Sequence, residues 1–290
     1  MTRCASAVGW SVLSAAALVA SFCALAIQLV FAAIAIGAIG MAHGASDLAI
    51  VEQRRRPAFL ALYAAAFLLC LCWWITDPAV ALPAFLMASA IHFGIEDAPG
   101  SRPFERIGRG ISLVATPATF HAASLAGILE FAGISRTVLP FMVDTLVIAG
   151  GVAAAGLMII GLARDDRRLL VGTSALLVLP PLVGFSVGFL ILHAVPQTIE
   201  RSLQLRCETI FAYFRATGPI LVSAVILVAI VGGLLLRWDP SGVRSLFAGI
   251  AALAIPHLVV TPFFEGSARQ SSATSPRTSR GLARDACAFE

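Results

Sequence analysis

The sequence predicts an all-α integral membrane protein, a polytopic helical bundle with about eight or nine transmembrane helices. Three observations carry that prediction. Of the 290 residues, 59% are hydrophobic and 12% charged, and the mean hydropathy is +0.92, a balance that water cannot solvate in a domain of this size. The apolar residues fall into stretches of about 20, the length that takes a helix across a ~30 Å hydrocarbon core. These stretches are continuously apolar and do not alternate, which suits a helix that satisfies its own backbone hydrogen bonds and not a barrel strand.

Taken in order, residues 8–41 carry no charge and read as a tight pair of passes with a break within 21–28. Arg3 precedes an apolar run too long for a signal-peptide core and without a clear cleavage site, so this segment is expected to stay as an anchor. Arg54, Arg55, Arg56 and Pro57 open a third helix to about residue 75, and Asp77-Pro78 a fourth ending near Asp97. A loop with Arg102, Arg106 and Arg109 leads into a fifth helix ending near Glu130, and a sixth covers about 137–163. The apolar stretch 169–195, interrupted by Pro180 and Pro181, overshoots a bilayer and must be tilted, kinked or broken there. Residues 196–217 read as interfacial, and two last helices cover about 220–236 and 242–264. Residues 1–265 thus form one membrane domain, and 266–290, rich in Ser, Thr and Arg, a disordered tail.

The 20 basic residues are all arginine. Without a lysine amine there is no Schiff base, so a retinal-carrying photoreceptor is excluded. No arginine run exceeds the three at 54–56, so the basic balance reads as loop charge and nucleic acid is not an expected partner. The positive-inside rule puts the loops near 54, 105 and 166 on the cytoplasmic side of an inner (plasma) membrane, and those at Asp77 and Gly133 outside. Arg201, Arg206 and Arg215 fall where a simple count places the exterior. The six cysteines form no CxxC pair and read as small hydrophobes.

All five histidines lie in or at the ends of apolar segments, whereas the polar loops and the tail have none. An ionisable side chain at bilayer depth costs a few kcal/mol or more, so such residues are candidates for function. Imidazole also ligates iron, copper and zinc, and several histidines from different helices facing one point would make a metal site. Asp47 follows His43 by one helical turn, and Glu96 follows His92 by four residues. Carboxylates at that spacing can fix the tautomer of a metal-bound imidazole. The bland alternative is a helix-end histidine bonded to its neighbour. For His121 and His257 a polar contact within the bundle is the expectation, and for Asp144 a pairing with Arg136 by snorkelling.

Five segments, MAHGASDLAI, IHFGIEDAP, TPATFHAAS, FLILHAVPQTIE and AIPHLVV, resemble in content and order the motifs of the Brp/Blh family of β-carotene 15,15′-dioxygenases, and span residues 41–260. The resemblance implies a non-haem Fe(2+) enzyme that uses O2 to cut the central double bond of β-carotene into two retinal molecules. It implies His43, His92 and His193 as metal ligands, with Gln197 at the fourth position, where the family has a second histidine. A glutamine amide offers a weak neutral oxygen there. Three outcomes stay open: a three-histidine site, recruitment of His257 or His121, or loss of oxygenase activity. The alternative function is a membrane metal- or carotenoid-binding protein or transporter. The expected partners are a carotenoid, O2 and membrane lipid, and the 18 phenylalanines suit either an apolar tunnel wall or lipid-facing helices.

Overall fold

The computed structural model describes residues 2–98, 100–237 and 239–264, apart from the side chains of residues 2–7. The tail expected at 266–290 lies outside the described residues, among which there is no strand. Helix α1 (Thr2–Ser21) breaks at 22–24 before α2 (Leu25–Ala32). The chain then runs through a π-helical segment (Ala33–Ile39) and two 3-10 turns (Gly40–Ala42 and Gly44–Ser46) into α3 (Asp47–Ile50). Next come α4 (Arg56–Thr76), α5 (Pro78–Glu96), α6 (Pro103–Ala115) and α7 (Ala122–Phe131). Helix α8 (Leu139–Arg164) is followed by α9 (Arg167–Val178) and α10 (Pro181–Phe189), then a π-helical turn (Leu190–Ala194) that runs into α11 (Val195–Gln204). Two long helices, α12 (Ile210–Leu235) and α13 (Val243–Val259), complete the bundle.

Among the described residues, seven helices are long and apolar enough to cross a membrane, or eight if the bent pair α6–α7 is one span. The bundle is apolar outside as well as inside. Helix α12 has a hydropathy of 2.5 with none of its central window buried, and Phe104, Phe141 and Phe211 stand outward. Buried positions meanwhile hold His43, Asp47, Glu105, His193 and Arg201. Only lipid suits that distribution, because it solvates the outer surface and leaves polar groups to pair within.

The fifth predicted helix is in fact two, bent by 93° between the 3-10 turn Thr116–Ala118 and α7. Pro117 lies in that turn, and Thr116 turns its hydroxyl to the Gly150 carbonyl (3.2 Å) and so ties the bend to α8. The stretch 169–195 is broken at Leu179-Pro180, both extended, between α9 and α10. Pro196 does not end the helix it lies in. It sits in the first turn of α11, where the wider hydrogen-bond register of the π-turn ends, so the missing N–H disturbs little. Residues 196–217 belong mostly to two helices, α11 and the start of α12, joined by a short turn. Arg136 pairs with Glu130 (2.7 Å) and not with Asp144, which stands exposed on α8.

Long-range contacts fix which loops share an end. Glu105 accepts from both Arg109 and Arg164 at 2.9 Å, which places two of the arginine-bearing loops together. Arg55 lies over the Phe264 ring at 4.7 Å, so the end of the α13 segment is beside the third. At the opposite end Gly133 rests on Pro78, and Arg244 donates to the Ile75 carbonyl (2.9 Å). Helices α9 and α10 form an antiparallel hairpin, with Gly172 against Leu192 and Gly188 against Leu176. Its return brings Arg201 to within 4.0 Å of Asp47, at the basic end. The hairpin thereby resolves the arginines that a simple count placed on the wrong side.

Glycines set the closest crossings. A Cβ at Gly110 would collide with the Ala90 carbonyl of α5, and one at Gly150 with the Ala115 carbonyl of α6. Backbones in lipid gain from such approach, because packing and not hydrophobic exclusion holds the helices together. Gly110→Leu should therefore part α5 from α6 and cost about 1–3 kcal/mol or more. The expected result is a lower thermal midpoint, read by size exclusion in detergent. Gly127→Ala, where a Cβ meets open space, should leave the midpoint unchanged or raise it.

Candidate metal centre

Four histidine rings meet near the basic end of the bundle. His92 comes from the last turn of α5, His257 from α13, His193 from the π-turn before α11, and His43 from between the two 3-10 turns. Ring centroids follow one another around a closed circuit: His43–His193 at 5.0 Å, His193–His92 at 5.4 Å, His92–His257 at 5.3 Å and His257–His43 at 5.3 Å. His43, His193 and His257 are buried. His121 stands apart, its ring nitrogen against the Val178 carbonyl at the α9–α10 break (3.1 Å).

Each of the three buried rings is held by its Nδ1. His43 Nδ1 lies 2.7 Å from the Gly40 carbonyl, His193 Nδ1 2.8 Å from Asp97 and His257 Nδ1 2.5 Å from Asp47. Carbonyl and carboxylate oxygens only accept, so Nδ1 carries the proton and donates in all three, and in the neutral ring Nε2 keeps its lone pair. The Nε2 of His257 is buried without a hydrogen-bond partner. A polar atom left so costs roughly 1–3 kcal/mol unless something satisfies it. His92 turns Nε2 to Glu96 at 3.4 Å, and His92, Glu96 and His193 each offer an atom within 4.8 Å of the others.

Asp47 contacts His257 and not its sequence neighbour His43. The 3-10 turn Gly44–Ser46 between them changes the angle per residue from that of an α-helix, so the one-turn spacing no longer puts both on one face. Asp47 also accepts from the Thr261 hydroxyl at 2.8 Å. Gln197 is buried one turn past His193, and its amide donates to the Glu96 carbonyl at 3.4 Å, which ties α11 to the end of α5. The fourth ring of the circuit is His257. Asp97, Gly40 and Thr261 are contributors that local spacing does not reveal. Asp97 closes the HFGIED motif, but its partner is 96 residues away.

The ring forms the floor of an apolar cavity walled by α5, α7, α10 and α13. Phe185, Phe189 and His193 stack along one face of the hairpin, with centroids 5.7 and 5.3 Å apart. Gly40 lets the Phe189 ring lie directly on its backbone, since a Cβ there would meet that ring. Ser89 is the one hydroxyl-bearing residue of the lining, and the remaining wall beyond the histidines is hydrocarbon and aromatic. Such a site can hold a metal ion beside a long apolar ligand and offers that ligand almost no hydrogen bonds.

Comparison with known protein families gives a match to the family described as beta-carotene 15,15′-dioxygenase, over residues 34–265. Neither a curated relative nor a solved structure matches the chain. The matched span covers most of the sequence and all four rings, and the chain therefore belongs to the beta-carotene 15,15′-dioxygenase family.

Proposed function

We propose that the chain is an iron(II) oxygenase that cuts the central 15,15′ double bond of β-carotene with O2, releasing two retinal molecules. The observation that carries this reading is the convergence of four imidazoles on the floor of a hydrocarbon cavity within a membrane bundle. Neutral imidazole nitrogens suit iron, and the partnerless Nε2 of His257 fits a ligand in wait for an ion. His43, His92, His193 and His257 would hold the metal, Asp47 and Asp97 would fix the rings of His257 and His193, and Glu96 would stand at its edge. Localisation in the inner membrane, with the arginine-rich end facing the cytoplasm, is part of the same proposal.

Iron(II) would supply the electron transfer that lets ground-state O2 react with a closed-shell polyene. The protein's own contributions are binding and exclusion. The stacked Phe185 and Phe189 give a polyene a flat face leading to His193, and the hydrocarbon wall keeps water from the cut bond. The reaction needs no reductant, because the C=C and O=O bonds break, two C=O bonds form and every atom comes from the polyene and one O2. Gly40 and Asp97 hold Nδ1–H of His43 and His193, so neither ring has to reorient during turnover.

Expression in β-carotene-producing cells tests the reading. Retinal should accumulate as the carotene colour fades. Unchanged carotene in cells that contain folded, iron-loaded protein would reject cleavage and leave a binding protein.

The ligand set has its own test in the metal content of purified protein. His257→Ala should lose most of the iron, and Asp47→Asn should weaken retention by about 10–100-fold. His121→Ala and Gln197→Ala should keep it. Iron kept by His257→Ala and lost by Gln197→Ala would move the fourth ligand back to the hairpin.

A further inference from the structure

The ring lies toward the basic end of the bundle, and the large cavity runs from it to Ile128, Leu129 and Leu246 near the opposite end. A rod cut at its middle has as much of its length on one side of the ring as on the other. The large cavity can therefore take one half, and the other half needs space elsewhere. A second, mostly apolar cavity lies between α4, α12 and the 40–48 segment. Met41 and Gly44 line both cavities. Gly44 faces His257, where a Cβ would stand 3.8 Å from Nδ1, so the shared wall is at the histidine ring itself. The second cavity is walled chiefly by Phe59, Leu60, Tyr63, Leu221, Ala224 and Leu253; of its polar lining residues, Tyr63 bonds the Leu253 carbonyl (3.1 Å) and Asp47 is held by His257 and Thr261.

We propose that the two cavities are the two arms of one substrate channel that meet at Met41 and Gly44, and that the second arm takes the half of the polyene beyond the cut bond. The inference rests on the carotenoid-cleaving reading and adds the place of each half. Gly44 leaves the threshold open, since any side chain there would grow toward His257. Met41, unbranched and flexible, is the residue that a polyene must move to pass. The large arm holds a ring-bearing end, and the small arm sets how long the far half can be.

A plug in the small arm, away from the histidines, tests this. Ala224→Trp, with Leu221→Trp as a second variant should the first fail to fold, is expected to lower turnover of β-carotene at least about tenfold. Turnover of an apocarotenal with one ring, an intact central bond and a shortened far end should be kept, as should iron content. Equal turnover of both substrates at the wild-type level overturns the proposal, and so do equal losses on both with iron and elution position retained. Iron-free protein gives a second readout, the carotenoid retained through purification. There the plugged variant should lose the full-length carotenoid and keep the shortened one, and loss or retention of both overturns the two-arm channel. Absence of retinal from the wild-type protein would reject cleavage alone, because the retained pigment still decides whether the arms exist.

Discussion

A carboxylate buried in a lipid-immersed bundle must be paired, and most of this structure follows from how Asp47 and Asp97 are paired. Both are matched to a histidine on a distant part of the chain, Asp47 to His257 and Asp97 to His193. Leaving either charge alone at depth would cost several kcal/mol, so the two contacts constrain how α13 meets the 40–47 segment and how the hairpin meets the end of α5. Removing one partner would expose that full cost. The same contacts orient the rings, so the bonds that hold the bundle together are also the ones that shape the site.

Close approach makes these contacts possible. Gly94 and Gly110 bring α5 onto α6, Gly150 brings α8 onto α6, and Gly172 and Gly188 let leucines of the hairpin interlock. Regular helices alone would still not deliver the rings. His43 follows a π-helical segment and lies between two 3-10 turns, and His193 is inside a π-turn. Each irregularity rotates the chain away from the 100° step of an α-helix and brings the polar side chain to the centre while its apolar neighbours stay outside or in the core. Freed backbone groups at such places are tolerated because the segments are enclosed by protein, and the Gly40 carbonyl is used to hold His43.

The class of fold, a helix break within 21–28, another at Asp77, and the prominence of intramembrane histidines were legible in the sequence, because hydropathy and charge act locally. The sequence did not reveal the 93° bend after α6, because Pro117 signals a possible break but not its angle, which the contact of Thr116 with α8 helps to set. Arg201 was misplaced for a related reason. Counting passes assumes that each apolar stretch crosses, and the hairpin at Pro180-Pro181 returns to its own side. Asp47 was paired with the wrong histidine because i,i+4 reasoning presumes an α-helix, and residues 40–46 are not one. The true partners are set by tertiary contacts across 210 and 96 residues, beyond the reach of any spacing rule.

Charge gives a reason for the balance of groups around the ring. Asp47, Glu96 and Asp97 bring three carboxyl groups within contact of the histidines, and Arg201 lies near Asp47. The imidazoles, held by Nδ1–H donation, contribute no charge in their neutral form. Ionised carboxyls are costly where the dielectric is low, and a cation in the proposed site would offset that cost. That balance also bears on Gln197. The amide adds no charge and bonds to the Glu96 carbonyl, while His257 arrives with its own carboxylate, Asp47, already in place. A histidine without such a partner would have to be oriented by other means, which favours the ring from α13 in the proposed ligand set.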